Sequence, residues 1–146
     1  MKVNFIIADE FRGETNGKVM GIGIYGAHQI LLNRFPDEKN ATKEERMTKL
    51  PLGLDRVGFM VTVSEVVGDF KEYLEIINPS GVTVLVSNKT EFKITKENTN
   101  AGHSFLIQTS PFIVTEIGTY LCKYYLNDEA HELPFIIDFN EQPLPE

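Results

Sequence analysis

The chain has a single cysteine in 146 residues and no tryptophan. A lone thiol excludes an intrachain disulfide, so the fold rests on burial and hydrogen bonding alone. Positive charge is also scarce. Fourteen Lys and Arg against 21 Asp and Glu give a net charge of −7. A nucleic-acid partner needs a cationic footprint to displace phosphate counterions, and this composition offers none. From Asp128 onward there are six acidic residues and no Lys or Arg, so that end repels phosphates and anionic lipid. Long apolar runs are missing. Phe112-Ile113-Val114 and Phe135-Ile136-Ile137 are typical, far short of the roughly 20 residues that span a bilayer. No membrane partner is expected. The patch at residues 3–8 is interrupted by Asn4 and closed by Asp9, too short and polar for a signal-peptide core. With one Cys and no such signal, the expected compartment is the cytosol. Asn40-Ala41-Thr42 and Asn88-Lys89-Thr90 are therefore read as chance glycosylation sequons.

What is present is alternation. Apolar residues recur with period two, separated by turn signals. Residues 3–8 and 19–25 read as strands joined through Asn16-Gly17. Gly21, Gly23 and Gly26 suggest bulges or close backbone approach there, and residues 27–33 read as a continuation after a kink. Val57, Phe59, Val61 and Val63 share one strand face. Gly68-Asp69 turns the chain into a partner strand with Leu74 and Ile76 on one side. Asn78-Pro79-Ser80-Gly81 is a strong turn, after which Val82, Val84 and Val86 alternate. Residues 91–95, 105–107 and 113 supply further strands, with a loop at 96–102. Tyr120, Cys122, Tyr124 and Leu126 share a face, and Asn127-Asp128 turns into Leu133, Phe135, Ile137 and Phe139. Pro134 marks part of that last strand as an edge or bulge.

Residues 37–50 differ in character. They are charged and turn-rich, and Thr42-Lys43-Glu44-Glu45 has capping-box spacing. The spacing predicts a short helix over 43–49, ended before Pro51. Its charge on most faces suggests a solvated helix or an interaction element.

Glu116, Gly118, Tyr120 and Cys122 in the order Glu-x-Gly-x-Tyr-x-Cys form the tyrosine-corner pattern of a sandwich strand. The Tyr120 hydroxyl is expected to bond backbone at the preceding corner. The expected fold is an all-β, immunoglobulin-like antiparallel β-sandwich with one short helical insertion. It is one domain over 1–146, with the charged insertion at 37–50 and a short acidic, Pro-containing tail at 140–146.

Two landmarks carry a family resemblance. One is Ala8-Asp9 followed by Asn16-Gly17-Lys18-Val19, Gly21 and Phe35-Pro36. The other is Gly118-Thr119-Tyr120 followed by Leu133-Pro134-Phe135-Ile136. Over roughly residues 2–139 the chain resembles an uncharacterised family of small bacterial and phage β-sandwich proteins. The resemblance implies an immunoglobulin-like sandwich and a bacterial or phage origin. It supplies no catalytic residue, cofactor or partner, and the 37–50 segment departs from it.

No catalytic, cofactor or metal site is expected. His28, His103 and His131 are scattered beside turns without zinc-ligand spacing and read as surface residues. Cys122 shares the core phase and reads as a buried, inert thiol. Gly21, Gly23 and Gly26 have dinucleotide-loop spacing, but no helix pattern follows them in an all-β setting. Asp9, Glu10, Arg12 and Glu14 read as a solvated loop without calcium spacing. The expected function is a non-catalytic protein-interaction module, self-associating or binding another protein. The alternative is a small-molecule or carbohydrate binder using exposed aromatics among Phe11, Tyr25, Tyr73 and Tyr125. A concave pocket holding two of them favours that alternative.

Overall fold

The computed structural model describes residues 1–13 and 18–143. The expected turn at Asn16-Gly17 and the acidic Glu14 lie outside the described residues. Twelve strands are present among the described residues. They are β1 (Lys2–Gly13), β2 (Val19–Ile24), β3 (Gln29–Leu32), β4 (Leu52–Leu54), β5 (Val57–Ser64), β6 (Gly68–Ile77), β7 (Thr83–Val86), β8 (Thr90–Ile94), β9 (His103–Thr109), β10 (Phe112–Val114), β11 (Gly118–Leu126) and β12 (Glu129–Phe139). A short helix, α1 (Lys43–Met47), stands between β3 and β4.

The chain is an all-β sandwich. One sheet has the order β2-β1-β5-β9. The other has the order β3-β12-β11-β6-β7, with β8 also pairing β6, and β4 and β10 form a separate two-stranded ribbon. All pairings are antiparallel except β3 with β12. Consecutive strands β5 and β6 lie in opposite sheets, so the chain crosses the sandwich between them.

The alternating residues meet between the sheets. Val57, Phe59, Val61 and Val63 of β5 are fully buried, as are Leu74 and Ile76 of β6 and Tyr120, Cys122 and Tyr124 of β11. Phe59 packs on Phe5, Phe112 and Phe135 at 6.2, 5.8 and 5.7 Å between ring centroids. Tyr120 stacks on Phe135 at 5.4 Å. Each such side chain contributes about 1.5–3 kcal/mol through burial. This aromatic cluster fills a core that has neither a tryptophan nor a disulfide. The Tyr120 hydroxyl donates to the Glu116 carbonyl at 2.6 Å, the expected tyrosine-corner bond. Gly118 beside it has φ +133°, a conformation that favours glycine.

Several local readings change. Residues 27–33 do not continue β2. Ala27 and His28 take positive φ, which redirects the chain so that β3 joins the opposite sheet parallel to β12. The turn before β6 lies earlier than Gly68-Asp69: Glu65 takes φ 58° and Gly68 already begins the strand. Pro134 pairs with Leu121 on one side. On the other, β3 begins pairing only at Ile136, so β12 is an edge at Pro134.

Candidate functional site

Four places gather polar or exposed apolar side chains. The first is the 37–50 segment. Thr42 accepts from the Glu45 amide and Glu45 accepts from the Thr42 amide, so the capping box is formed. Arg46 overturns the picture of a helix solvated on most faces. It is 1% exposed, donates to the carbonyls of Leu32 and Asn140 at 2.8 and 2.9 Å, and stacks over Phe139 at 4.4 Å. Glu38, also buried, lies 3.7 Å from Arg46 and from Lys49. Arg34 donates to the carbonyls of Glu38 and Ala41 at 2.8 Å. The charges therefore fasten the segment to the ends of β3 and β12, where backbone carbonyls need donors.

The second place is a buried polar cluster that the sequence reading missed. Glu72 is fully buried, and His103 Nε2 lies 2.9 and 2.8 Å from its two carboxylate oxygens. His103 stacks on Phe92 at 3.8 Å, so it is not a free surface histidine. The Tyr124 hydroxyl lies against the same carboxylate. Burial first, then the Glu72 charge, pushes its pKa above the usual phenol range. His131 is the strand partner of Tyr124, with ring centroids 6.4 Å apart. The bridge links β6 to β9 across the sandwich. The signal was available: Glu72 has the same phase as Leu74 and Ile76, and a polar residue in core phase needs a partner. His28, the third histidine, is exposed and bonds the Phe5 carbonyl at 2.8 Å. The three do not converge, and no group of three or more metal-ligating side chains forms among the described residues.

The third place is the outer face of the six-stranded sheet. Tyr73 and Tyr125 are direct strand partners, and their rings stack at 4.4 Å and 9°. Lys89 caps the stack, with its ammonium 5.2 Å from the Tyr73 ring centroid. Together with Lys71, Asn127 and Asp128 they line a depression of about 590 Å³. The other two candidate aromatics do not join it. Phe11 is not exposed: it is buried over glycines, and a Cβ at Gly58 would come within 2.7 Å of its ring. Tyr25 donates to Asp9, and its hydroxyl pKa is raised by burial and then by Asp9.

The fourth place is the β1–β2 hairpin. From Lys2 to Ala8, β1 pairs β5; beyond Ala8 it pairs only β2. Strand β2 closes the edge of its sheet. It carries Val19, Met20, Ile22 and Ile24 at 41, 47, 38 and 60% exposure. Met20 and Ile22 alternate with Gly21 along the strand, whereas the Ile24 side chain lies over Gly21 on the Phe11 side, 3.2 Å from where a Gly21 Cβ would sit. Gly23 has φ +66°, and a Cβ there would collide with the Asp9 carboxylate. Glu10 at the hairpin base binds Arg12 and Arg56, each at 3.2 Å, and the Arg12 hydrogen bond leads in lowering its pKa.

Cys122 is fully enclosed, and burial pushes its thiol up to about 12. The thiolate needed for nucleophilic or redox chemistry is suppressed at neutral pH. No family model matches this chain, and no curated protein matches it in sequence.

Proposed function

We propose that the protein is a non-catalytic protein-interaction module that takes up its partner by strand addition at β2. The observation that carries this reading is an edge strand with four exposed apolar side chains and neither a charge nor a proline between Val19 and Ile24. Natural edge strands are blunted by such residues, because their open N–H and C=O groups template pairing with another chain. Extended partners bind sheet edges in this way, through main-chain bonds and alternate side chains. The partner is a second copy or another protein. The inert Cys122 thiol agrees with a non-catalytic role and with a reducing cytosol. The family resemblance extends the proposal to a bacterial or phage setting.

The test combines size-exclusion chromatography with light scattering and affinity capture from the native host, quantified by mass spectrometry. Wild-type protein is expected to dimerise or to retain one stoichiometric partner. Ile22→Lys, on an exposed position, is expected to abolish that association while leaving the unfolding midpoint within about 0.5 kcal/mol of wild type. A monomer that captures nothing, or a complex indifferent to Ile22→Lys, overturns the reading.

A further inference from the structure

The tyrosine depression lies on the other sheet from β2 and calls for a different kind of ligand. Its volume, about 590 Å³, falls within the roughly 300–1,000 Å³ of small-molecule sites. A second depression of about 380 Å³ adjoins it, sharing Lys71 and Asn127 and reaching Phe70 and Phe92. The two form a groove that runs across β6 and β8 beside the β11–β12 turn.

Its chemistry is mixed in a specific way. The apolar element is flat: two parallel tyrosine rings, held upright by strand pairing and by the Tyr125 hydroxyl donating to Glu75 at 3.2 Å. The rim offers both donors and acceptors. The Asn127 side-chain oxygen accepts from the Lys71 amide at 2.9 Å, which orients its NH₂ group as a spare donor. The backbone amide of Asn127 donates to the Lys71 carbonyl at 2.7 Å, fixing the turn. Neither Asp128 nor Lys89 has an ion-pair partner among the described residues. A carboxylate without an ion pair thus stands beside the aromatic pair, while the Lys89 ammonium rests over the Tyr73 ring.

We propose that this groove binds a neutral saccharide of one or more hexopyranose units. With Tyr73 covered by Tyr125 and Lys89, the C–H face of a pyranose lies on the outer face of the Tyr125 ring, while its hydroxyls, each donor and acceptor, satisfy Asp128, Asn127 and Lys89 together. An anionic ligand gains no net attraction here, because Asp69, Glu91 and Asp128 along the groove are balanced by Lys71, Lys89 and Lys93. This site is independent of strand addition at β2.

The experiment is a titration of the ¹⁵N-labelled full chain with maltose, cellobiose, lactose and chitobiose, followed by amide shifts, with glucose 6-phosphate as the anionic comparison. At least one disaccharide is expected to give saturable shifts confined to the amides around Tyr73, Tyr125, Asn127 and Asp128. Tyr125→Ala is expected to weaken that binding about tenfold, the worth of one aromatic contact. Tyr125→Phe, which keeps the ring, should leave binding within about twofold of wild type. Asp128→Asn guards against misfolding of the alanine variant, and it should weaken binding without moving the unfolding midpoint. Absence of shifts up to roughly 10 mM of all four sugars overturns the proposal, since weaker binding is not specific. So do shifts elsewhere on the surface, binding indifferent to both Tyr125→Ala and Asp128→Asn, or tighter binding of glucose 6-phosphate.

Discussion

Two side chains concentrate the structural information at the residue scale. Tyr120 and Arg46 are both buried and both send polar atoms to backbone carbonyls. Removing the Tyr120 hydroxyl leaves the Glu116 carbonyl short of its donor at the sheet-to-sheet corner. Tyr120→Phe is expected to cost about 1 kcal/mol or somewhat more, read as a lowered urea midpoint with an unchanged slope. A change near zero contradicts the corner assignment. Tyr120 was legible in the sequence because the pattern around it is local. Glu72 and His103 were not recognised, because 31 residues separate them and only sandwich closure brings them to 2.8 Å. The odd polar residue in an apolar phase was visible, but its partner was not.

Among the elements, α1 shows most clearly how charge misleads. Its capping box and its start at Lys43 follow from sequence spacing. Its attachment does not, because a window of Lys, Glu and Arg reads as solvated surface whichever cation turns inward. Comparing two variants separates local from tertiary contributions. Thr42→Ala removes only the cap and is expected to cost about 1 kcal/mol. Arg46→Ala leaves the Leu32 and Asn140 carbonyls without their donors and buried Glu38 with Lys49 as its remaining cation, and is expected to cost about 3 kcal/mol. Equal midpoints for the two variants would mean that the segment is not fastened by Arg46. The same contacts make deletion of residues 37–50 a poor probe of binding, since it strips donors from the ends of β3 and β12. Strand β2 teaches the complementary lesson. Its glycine-laced pattern was legible, but its position at a sheet edge depends on how β1 divides its pairing between β5 and β2.

For the whole molecule, alkaline pH tests how completely the sandwich excludes water. The Cys122 thiol is raised by burial to about 12 from an ordinary value near 9. Between those values the unfolded chain loses a proton that the folded chain keeps, so stability falls as pH rises. Tyr124, raised by burial and then by Glu72, acts with the same sign above the ordinary phenol range. Urea midpoints are expected to be level in this respect below about pH 9 and to decline toward about pH 12, with Cys122→Ala softening the decline. A flat profile across that window would show that these groups are wet. The sequence by itself determined the strand alternation, the corner tyrosine, the capped helix and the unpaired thiol, because each is written in residues within a few positions of one another. Only the tertiary structure decided that Arg46 points inward, that Glu72 meets His103, that Tyr73 stacks on Tyr125 and that β2 is left open. Those outcomes depend on which strands become neighbours, and neighbourhood is set by the closing of two sheets over one core.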